Sequence, residues 1–355
     1  MTYAGLDVHA RSTQAAAVDV RTGELRRARF TGSGEELAWL AGLPGPVHAC
    51  YEAGPTGFGL YRAALAAGLR VDVVAPSKTP RAPGDRVKTD RKDAELLARL
   101  LLAGQLRPIV VPSVEVEAAR HLCRAREQVR GDLMRCRHRV SKLLLLHGRI
   151  YDQPTTWNRP HRQWLARQRF DQATTELAYL DTLAAVDGLV ARKAALDERL
   201  SHLALHGEWA PTVARLRCFR GIDTLTALVL SLEIGDFARF GRPAQLASWL
   251  GLVPTLDQSG ESRTSGGITK CGSSYARRLL VEAAWHYLRQ PHIGATLRNR
   301  QAGQPAHVLQ IAWRAQYRLH HQLTRLRSRG KPGNIATVAV ARELACFLWA
   351  AALAE

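Results

Sequence analysis

Between Pro112 and Pro154 the chain runs without a proline, and from 113 to 149 leucine, valine and alanine recur at helical spacing, broken mainly by arginine. Proline removes a helix hydrogen bond and clashes with the preceding turn, so this uninterrupted periodicity predicts one long helix. A second helical run extends from about Asp171 to Leu205. The stretch between them, Tyr151 to Pro160, contains Pro154, Asn158 and Pro160 and reads as the turn of a hairpin. Such a pair is expected to pack as an antiparallel coiled coil or to supply a dimer interface. It divides the chain into three expected parts: 1–110, 111–207 and 208–355.

The first part has a different pattern. Tyr3 to Val8, Thr13 to Val20 and Glu24 to Phe30 read as three strands of an antiparallel meander. Ser33 is placed to cap a helix through Ala41. A strand from Val47 to Tyr51, a helix from about Thr56 to Ala67 and a strand from Arg70 to Ala75 follow. This order belongs to an α/β domain with a mixed sheet. The third part reads as mainly helical. A helix after Gly221-Ile222-Asp223 runs to Ile234, another spans Pro243 to Leu250, and a glycine- and serine-rich loop follows. Further helices are expected at about 274–288, 305–327 and 335–353.

The formal net charge is +19, from 50 basic against 31 acidic residues, which points to a polyanionic partner. Drift of a GC-rich genome towards arginine, 43 Arg against 7 Lys, is the competing explanation. The start of the chain lacks the features of a signal peptide, and no run of about 18 uninterrupted apolar residues suggests a membrane span. Six scattered cysteines without a Cys-x-x-Cys pair argue against a disulfide framework or a structural zinc site, and favour reduced thiols in the cytoplasm.

Four acids stand out. Asp7 ends the first strand, Glu52 follows the fourth, and Asp90 and Asp93 open a helix capped by Thr89, one turn apart on one face. Converging carboxylates repel one another unless a hard cation neutralises them, and magnesium with its oxygen ligands suits that role. Two such ions, or manganese in their place, activate a nucleophile and steady a leaving oxygen in phosphodiester cleavage. Taken singly, each acid has a structural explanation as a turn, surface or first-turn charge.

Gly5-Leu6-Asp7-Val8-His9, Tyr51-Glu52-Ala53 and Lys88-Thr89-Asp90-Arg91-Lys92-Asp93-Ala94 resemble the motifs of the DEDD transposases of the insertion-sequence family IS one-ten, which includes the Piv-type DNA invertases. The resemblance implies an RNase H-like, RuvC-like amino-terminal domain whose metal-binding acids fall on Asp7, Glu52, Asp90 and Asp93. It continues through Leu250-Gly251-Leu252-Val253-Pro254, Ser259-Gly260, Gly266-Gly267-Ile268-Thr269-Lys270 and the helix near Ser274. In that family a serine of this loop forms a covalent phosphoserine link with DNA, and Ser259 matches best. Ser262 and Ser265 are its rivals. Cys271-Gly272-Ser273 departs from the Gly-Asn that members often carry. The same resemblance implies an element-encoded bridge RNA pairing with donor and target DNA.

Chemically, a serine hydroxyl needs a base or metal to attack. Glycines 260, 266 and 267 admit a phosphate close to the backbone, where Arg263 and Lys270 can hold its oxygens. Basic stripes supply further candidates for nucleic-acid contact. Residues 120–149 carry nine basic and two acidic side chains, with Arg120 and Arg124, and Arg135 and Arg139, paired by spacing. Arg277 and Arg278 lie in the matched helix. Residues 298–331 carry eight basic residues and no acid, among them Arg314 and Arg318. Trp313 and Tyr317, interleaved there, are expected in the core and the arginines on phosphates. The helix after Asp223 is similar to a helix-hairpin-helix element.

The expectation is therefore a transposase or site-specific recombinase, working as a dimer or tetramer. Two competing readings are a RuvC-like junction nuclease that attacks with water, and a non-catalytic basic nucleic-acid scaffold.

Overall fold

In the computed structural model the long proline-free run is indeed one helix, and the chain divides just before it into two units, Met1–Ser113 and Val114–Glu355. The structure describes residues 1–32, 34–80, 89–260 and 262–354, with only the backbone of Arg263. The cap expected at Ser33, Lys88 of the third acidic motif and the Arg263 side chain lie outside the described residues.

The first unit is a five-stranded sheet with helices on both faces. Its elements are β1 Thr2–Val8, β2 Thr13–Asp19, β3 Leu25–Phe30, α1 Glu35–Ala41, β4 Val47–Glu52, α2 Gly59–Ala66, β5 Arg70–Val74 and α3 Asp90–Leu102. The strand order is β3-β2-β1-β4-β5. The first three strands form the antiparallel meander, while β1, β4 and β5 run parallel. A parallel neighbour requires a crossover, and α1 and α2 provide the two needed here.

Alternation along the strands fixes which face each helix covers. Ala4, Leu6, Ala49, Tyr51, Val71 and Val73 point to one face, in a core with Leu40 and Ala64 of α1 and α2. Cys50 and Val74 point to the other, where Leu97 and Leu101 of α3 pack on them with Tyr3 alongside. Burying each of those leucines is worth roughly 2 kcal/mol.

In the second unit α4 (Val114–Leu146) and α6 (Ala173–His206) pack against each other. They run antiparallel: Arg126 Nε is 2.7 Å from Asp197 Oδ1 towards one end, and Cys136 Sγ donates to the Thr182 carbonyl at 3.5 Å towards the other. The link is more than a turn. It contains α5 (Arg159–Ala166), capped by Asn158 Oδ1 on the His161 amide, with Leu165 and Tyr179 closing that end of the helical pair.

The remainder comprises α7 Ala210–Leu216, α8 Thr224–Ile234, α9 Pro243–Trp249, strands β6 Pro254–Ser259 and β7 Ser262–Ile268, then α10 Ser274–Trp285, α11 Ala295–Gln301, α12 Ala306–Ser328 and α13 Gly333–Ala352. Asp223 caps α8 by accepting from the Thr226 amide at 2.7 Å. α8 is apolar on every side because it is the buried centre of this unit. α13 is long and apolar enough to cross a membrane by length and composition. Yet Val340, Leu344 and Leu348 are buried in the same core, which accounts for its apolarity. All six cysteines are free thiols, and burial pushes Cys218 up to about 11 and Cys123 up to about 12.

Candidate active site and nucleic-acid surfaces

Leu6 of β1 lies opposite Tyr51 of β4 in the parallel pair, so the next residues, Asp7 and Glu52, come to the same edge of the sheet. By alternation both share a face with Gly5 and Cys50, the face that α3 covers. Gly5 is what lets α3 come so near. A Cβ there would lie 2.2 Å from the Ala94 carbonyl oxygen and 2.5 Å from the Ala98 nitrogen, so only glycine fits. Thr89 starts α3 with its Oγ1 accepting from the Lys92 amide at 3.3 Å, which sets Asp90 and Asp93 in the first turn. Seating α3 on Gly5 thus delivers its acidic first turn to the strand end that carries Asp7.

The structure brings Asp7 and Asp90 together and adds a residue that the sequence reading did not single out. His9 Nε2 is 3.1 Å from Asp7 Oδ2 and 3.7 Å from Asp90 Oδ1, and the ligand atoms of the three residues all lie within 4.8 Å of one another. The available signal was period-two alternation in Asp7-Val8-His9, which turns residues 7 and 9 to one side. Asp93 is near enough to raise the Asp7 carboxyl and Glu52 reaches the same sheet edge by register, but the described group does not include them. Burial holds the Asp7 carboxyl above its usual range; His9 draws it down, and Asp90 and Asp93 push it back up. Glu52 Oε1 is buried without a hydrogen-bond partner among the described residues. A buried, unpartnered carboxylate oxygen at the same sheet edge as two mutually repelling acids is a donor set that a divalent cation would satisfy.

The expected serine loop is instead a two-stranded ribbon. β6 and β7 pair antiparallel, with Ser259 opposite Ser262 and Leu256 opposite Ser265. β6 is exposed along its whole length and the described residues of β7 up to Gly267 are exposed too, so no apolar alternation marked them as strands. Gly260, at φ 56°, takes the first corner of the tight turn. The base of the ribbon is clamped. Arg277 Nη1 donates to the carbonyls of Leu250 at 2.9 Å and Cys271 at 2.7 Å, and Lys270 N donates to Gly251 O at 3.1 Å. Ser259, Ser262 and Ser265 are all exposed.

The basic candidates divide by what they already hold. Arg120 donates twice to the Leu232 carbonyl, at 2.9 and 2.7 Å, and once to that of Glu233, closing the last turn of α8. Arg124 pairs with Glu233 at 3.4 Å, Arg135 with Asp132, and Arg278 with Glu127 at 2.9 Å and Glu282 at 2.5 Å. Arg139, Lys270 and Arg314 are exposed. Arg318 pairs with Glu343.

Trp313 and Tyr317 are not core residues. They are 38% and 55% exposed and meet edge to face with centroids 5.5 Å apart. The core side of α12 is filled by Ala312, Ala315, Leu319 and Leu323, and the two aromatics stand on another face. Beside them Arg314, Tyr317, Arg318, His321 and Arg325, with Phe347 of α13, line a groove of about 570 Å³.

Comparison with known proteins agrees with both halves of the chain. Residues 4–148 match the DEDD transposase family of IS110 elements, and residues 213–298 match the family described as Transposase IS116/IS110/IS902. The protein y4qE of Sinorhizobium fredii is 40% identical over 99% of this chain and 88% of its own length. The transposase for insertion sequence element IS1533 of Leptospira borgpetersenii is 33% identical over 93% of this chain and 97% of its own. The transposase for insertion sequence element IS1111A of Coxiella burnetii is 23% identical over 64% and 62%.

Proposed function

The chain belongs to the IS116/IS110/IS902 family of transposases, and from that premise we propose that it cuts and rejoins DNA with Asp7, Glu52, Asp90 and Asp93 as metal-holding acids and Ser259 as the attacking group. The observation that carries this reading is the meeting of Asp7, from β1, with Asp90, from α3, in one group of potential ligands. The order β3-β2-β1-β4-β5, antiparallel on one side of β1 and parallel on the other, supports a RuvC-like, RNase H-like domain.

Two magnesium ions, or manganese in their place, would supply Lewis acidity to the scissile phosphate. Asp7 and Asp90 would hold them from the sheet edge, with Glu52 and Asp93 completing the set. The Ser259 oxygen bonds to phosphorus as the bond to a bridging DNA oxygen breaks, and that oxygen leaves with a proton as a free strand end. The resulting phosphoserine ester keeps the energy of the phosphodiester, so a hydroxyl of the partner strand can displace serine and reseal DNA without a further cofactor. Each chain carries one Ser259, so exchange between donor and target takes at least two copies, as in a dimer or tetramer.

Exposed Arg139, Lys270 and Arg314 suit phosphate contact, which positions DNA but carries no sequence information. Selection of donor and target sites therefore falls, in this reading, to a bridge RNA that pairs with both.

The test is recombination of a supercoiled plasmid carrying the element's flanks, with and without its non-coding RNA. Recombinants should require the RNA, and protein–DNA adducts should vanish in Ser259→Ala while DNA binding persists. Adducts that survive in that variant would refute Ser259. Metal-dependent cleavage without any adduct would assign the attack to water.

A further inference from the structure

We propose that His9 is itself a ligand of the divalent ion held by Asp7 and Asp90, and that it tilts the site towards manganese over magnesium; this rests on the reading of those acids as metal-binding. The four acids read as metal-binding are all oxygen donors, yet the described group that converges in space contains a nitrogen donor.

Three observations place it there. The His9 amide donates to the Ser12 carbonyl at 2.9 Å across the β1–β2 turn, which fixes its backbone just beyond the strand end. Alternation turns residues 7 and 9 to the same side. Its Nε2 lies 3.1 Å from Asp7 Oδ2 and 3.7 Å from Asp90 Oδ1. Neighbouring donors around an octahedral ion with bonds of about 2.1 Å are separated by roughly 3 Å, so these spacings need little adjustment to close on one cation. Oxygen-only sets suit magnesium, which surrenders water reluctantly, whereas imidazole favours transition ions. A mixed set of two carboxylates and one imidazole therefore gains more for manganese than for magnesium.

Electron paramagnetic resonance of manganese bound to the full-length chain tests this without reference to catalysis. Pulsed spectra of the wild type should show nitrogen-14 modulation from a coordinated imidazole, absent in both His9→Ala and His9→Gln. Manganese affinity should fall about ten-fold in both variants, and magnesium affinity, measured by competition, by less than three-fold. Because His9 is half exposed, neither change should disturb the fold, which the denaturation midpoint will report. Wild-type manganese without nitrogen modulation, or modulation unchanged in either variant, would overturn the assignment of His9. Manganese bound equally well by Asp7→Asn would instead overturn the metal reading of the acids on which it stands.

Discussion

Asp7 stands one residue before the end of a central strand beneath α3, partly buried, with its neighbours fixed by backbone packing. Ser259 ends an outer strand of a two-stranded ribbon that is exposed from Pro254 to Gly260, and among the described residues nothing hydrogen-bonds its hydroxyl. One site is organised before any partner arrives, at the cost of crowding like charges. The other is exposed along the described residues of its first strand and is held at its base, where Arg277 donates to the Leu250 and Cys271 carbonyls. Electrostatic catalysis requires groups that do not reorganise during the reaction, which suits the packed side of this comparison. The same division separates the two glycines that matter most. Gly5 is required by what lies beside it, and Gly260 by its own backbone angle.

The largest effect should come from the organised side. Asp90→Asn is expected to lower metal-dependent strand cleavage on the order of a thousand-fold, measured on a nicked or supercoiled substrate. Its side chain is 57% exposed and repels Asp7, so the metal-free chain should be as stable as wild type or slightly more so. A variant that both retains cleavage and unfolds early would make Asp90 structural and dissolve the contrast with the ribbon.

Gly5→Ala comes next. The added methyl meets backbone atoms of α3, which cannot swing aside as a side chain can, so the helix must lift or the strand must bend. The expected cost is about 3 kcal/mol, read as a lower urea midpoint, with cleavage falling alongside. A loss under about 1 kcal/mol would show that the seat of α3 is soft. Gly260→Ala should act at a third of that scale, about 1 kcal/mol for a residue at φ 56°, with no atom within 4 Å of the new methyl. Hydrogen exchange should quicken in β6 and β7 while the urea midpoint of the whole chain holds. A global shift would mean that the ribbon is part of the core's cooperative unit.

What could be read from the sequence follows the same line between packed and exposed. The five strands, the cap at Thr89 and the two long helices were legible because burial imposes periodicity and helix ends demand acceptors. The ribbon was not, since its described residues from Pro254 to Gly260 and from Thr264 to Gly267 are exposed and carry no apolar alternation. Trp313 and Tyr317, expected in the core, are exposed instead, because aromatic character alone does not say which face of a helix is buried. Arginine positions gave helix faces correctly yet not their engagements. Whether Arg120 meets a phosphate or the end of α8 depends on a chain segment more than a hundred residues away. The convergence of Asp7 and Asp90 was suggested by motif and strand order, whereas His9 emerged only once their distances were known.

The smallest effect concerns the clamp on the outer side of α3. Glu95 gathers Arg27 of β3 at 2.6 Å, Arg91 at 3.5 Å and Arg99 at 3.8 Å, and its hydrogen bond to Arg27 holds the carboxyl below its ordinary range. A depressed carboxylate stabilises the fold above its unfolded pKa of about 4.3, and that stabilisation is lost as pH falls through the folded value. Because the arginines are substantially exposed, the contribution should be about 0.5 kcal/mol. Comparing urea midpoints of the wild type and Glu95→Gln isolates it from the oppositely shifted Asp7, which both chains retain. The gap should be present near neutral pH, narrow as pH drops below about 4.3, and shrink with added salt. A gap that ignores both pH and salt would assign Glu95 to packing, and would leave Gly5 and the leucines beside it to explain why α3 stands where its acids meet Asp7.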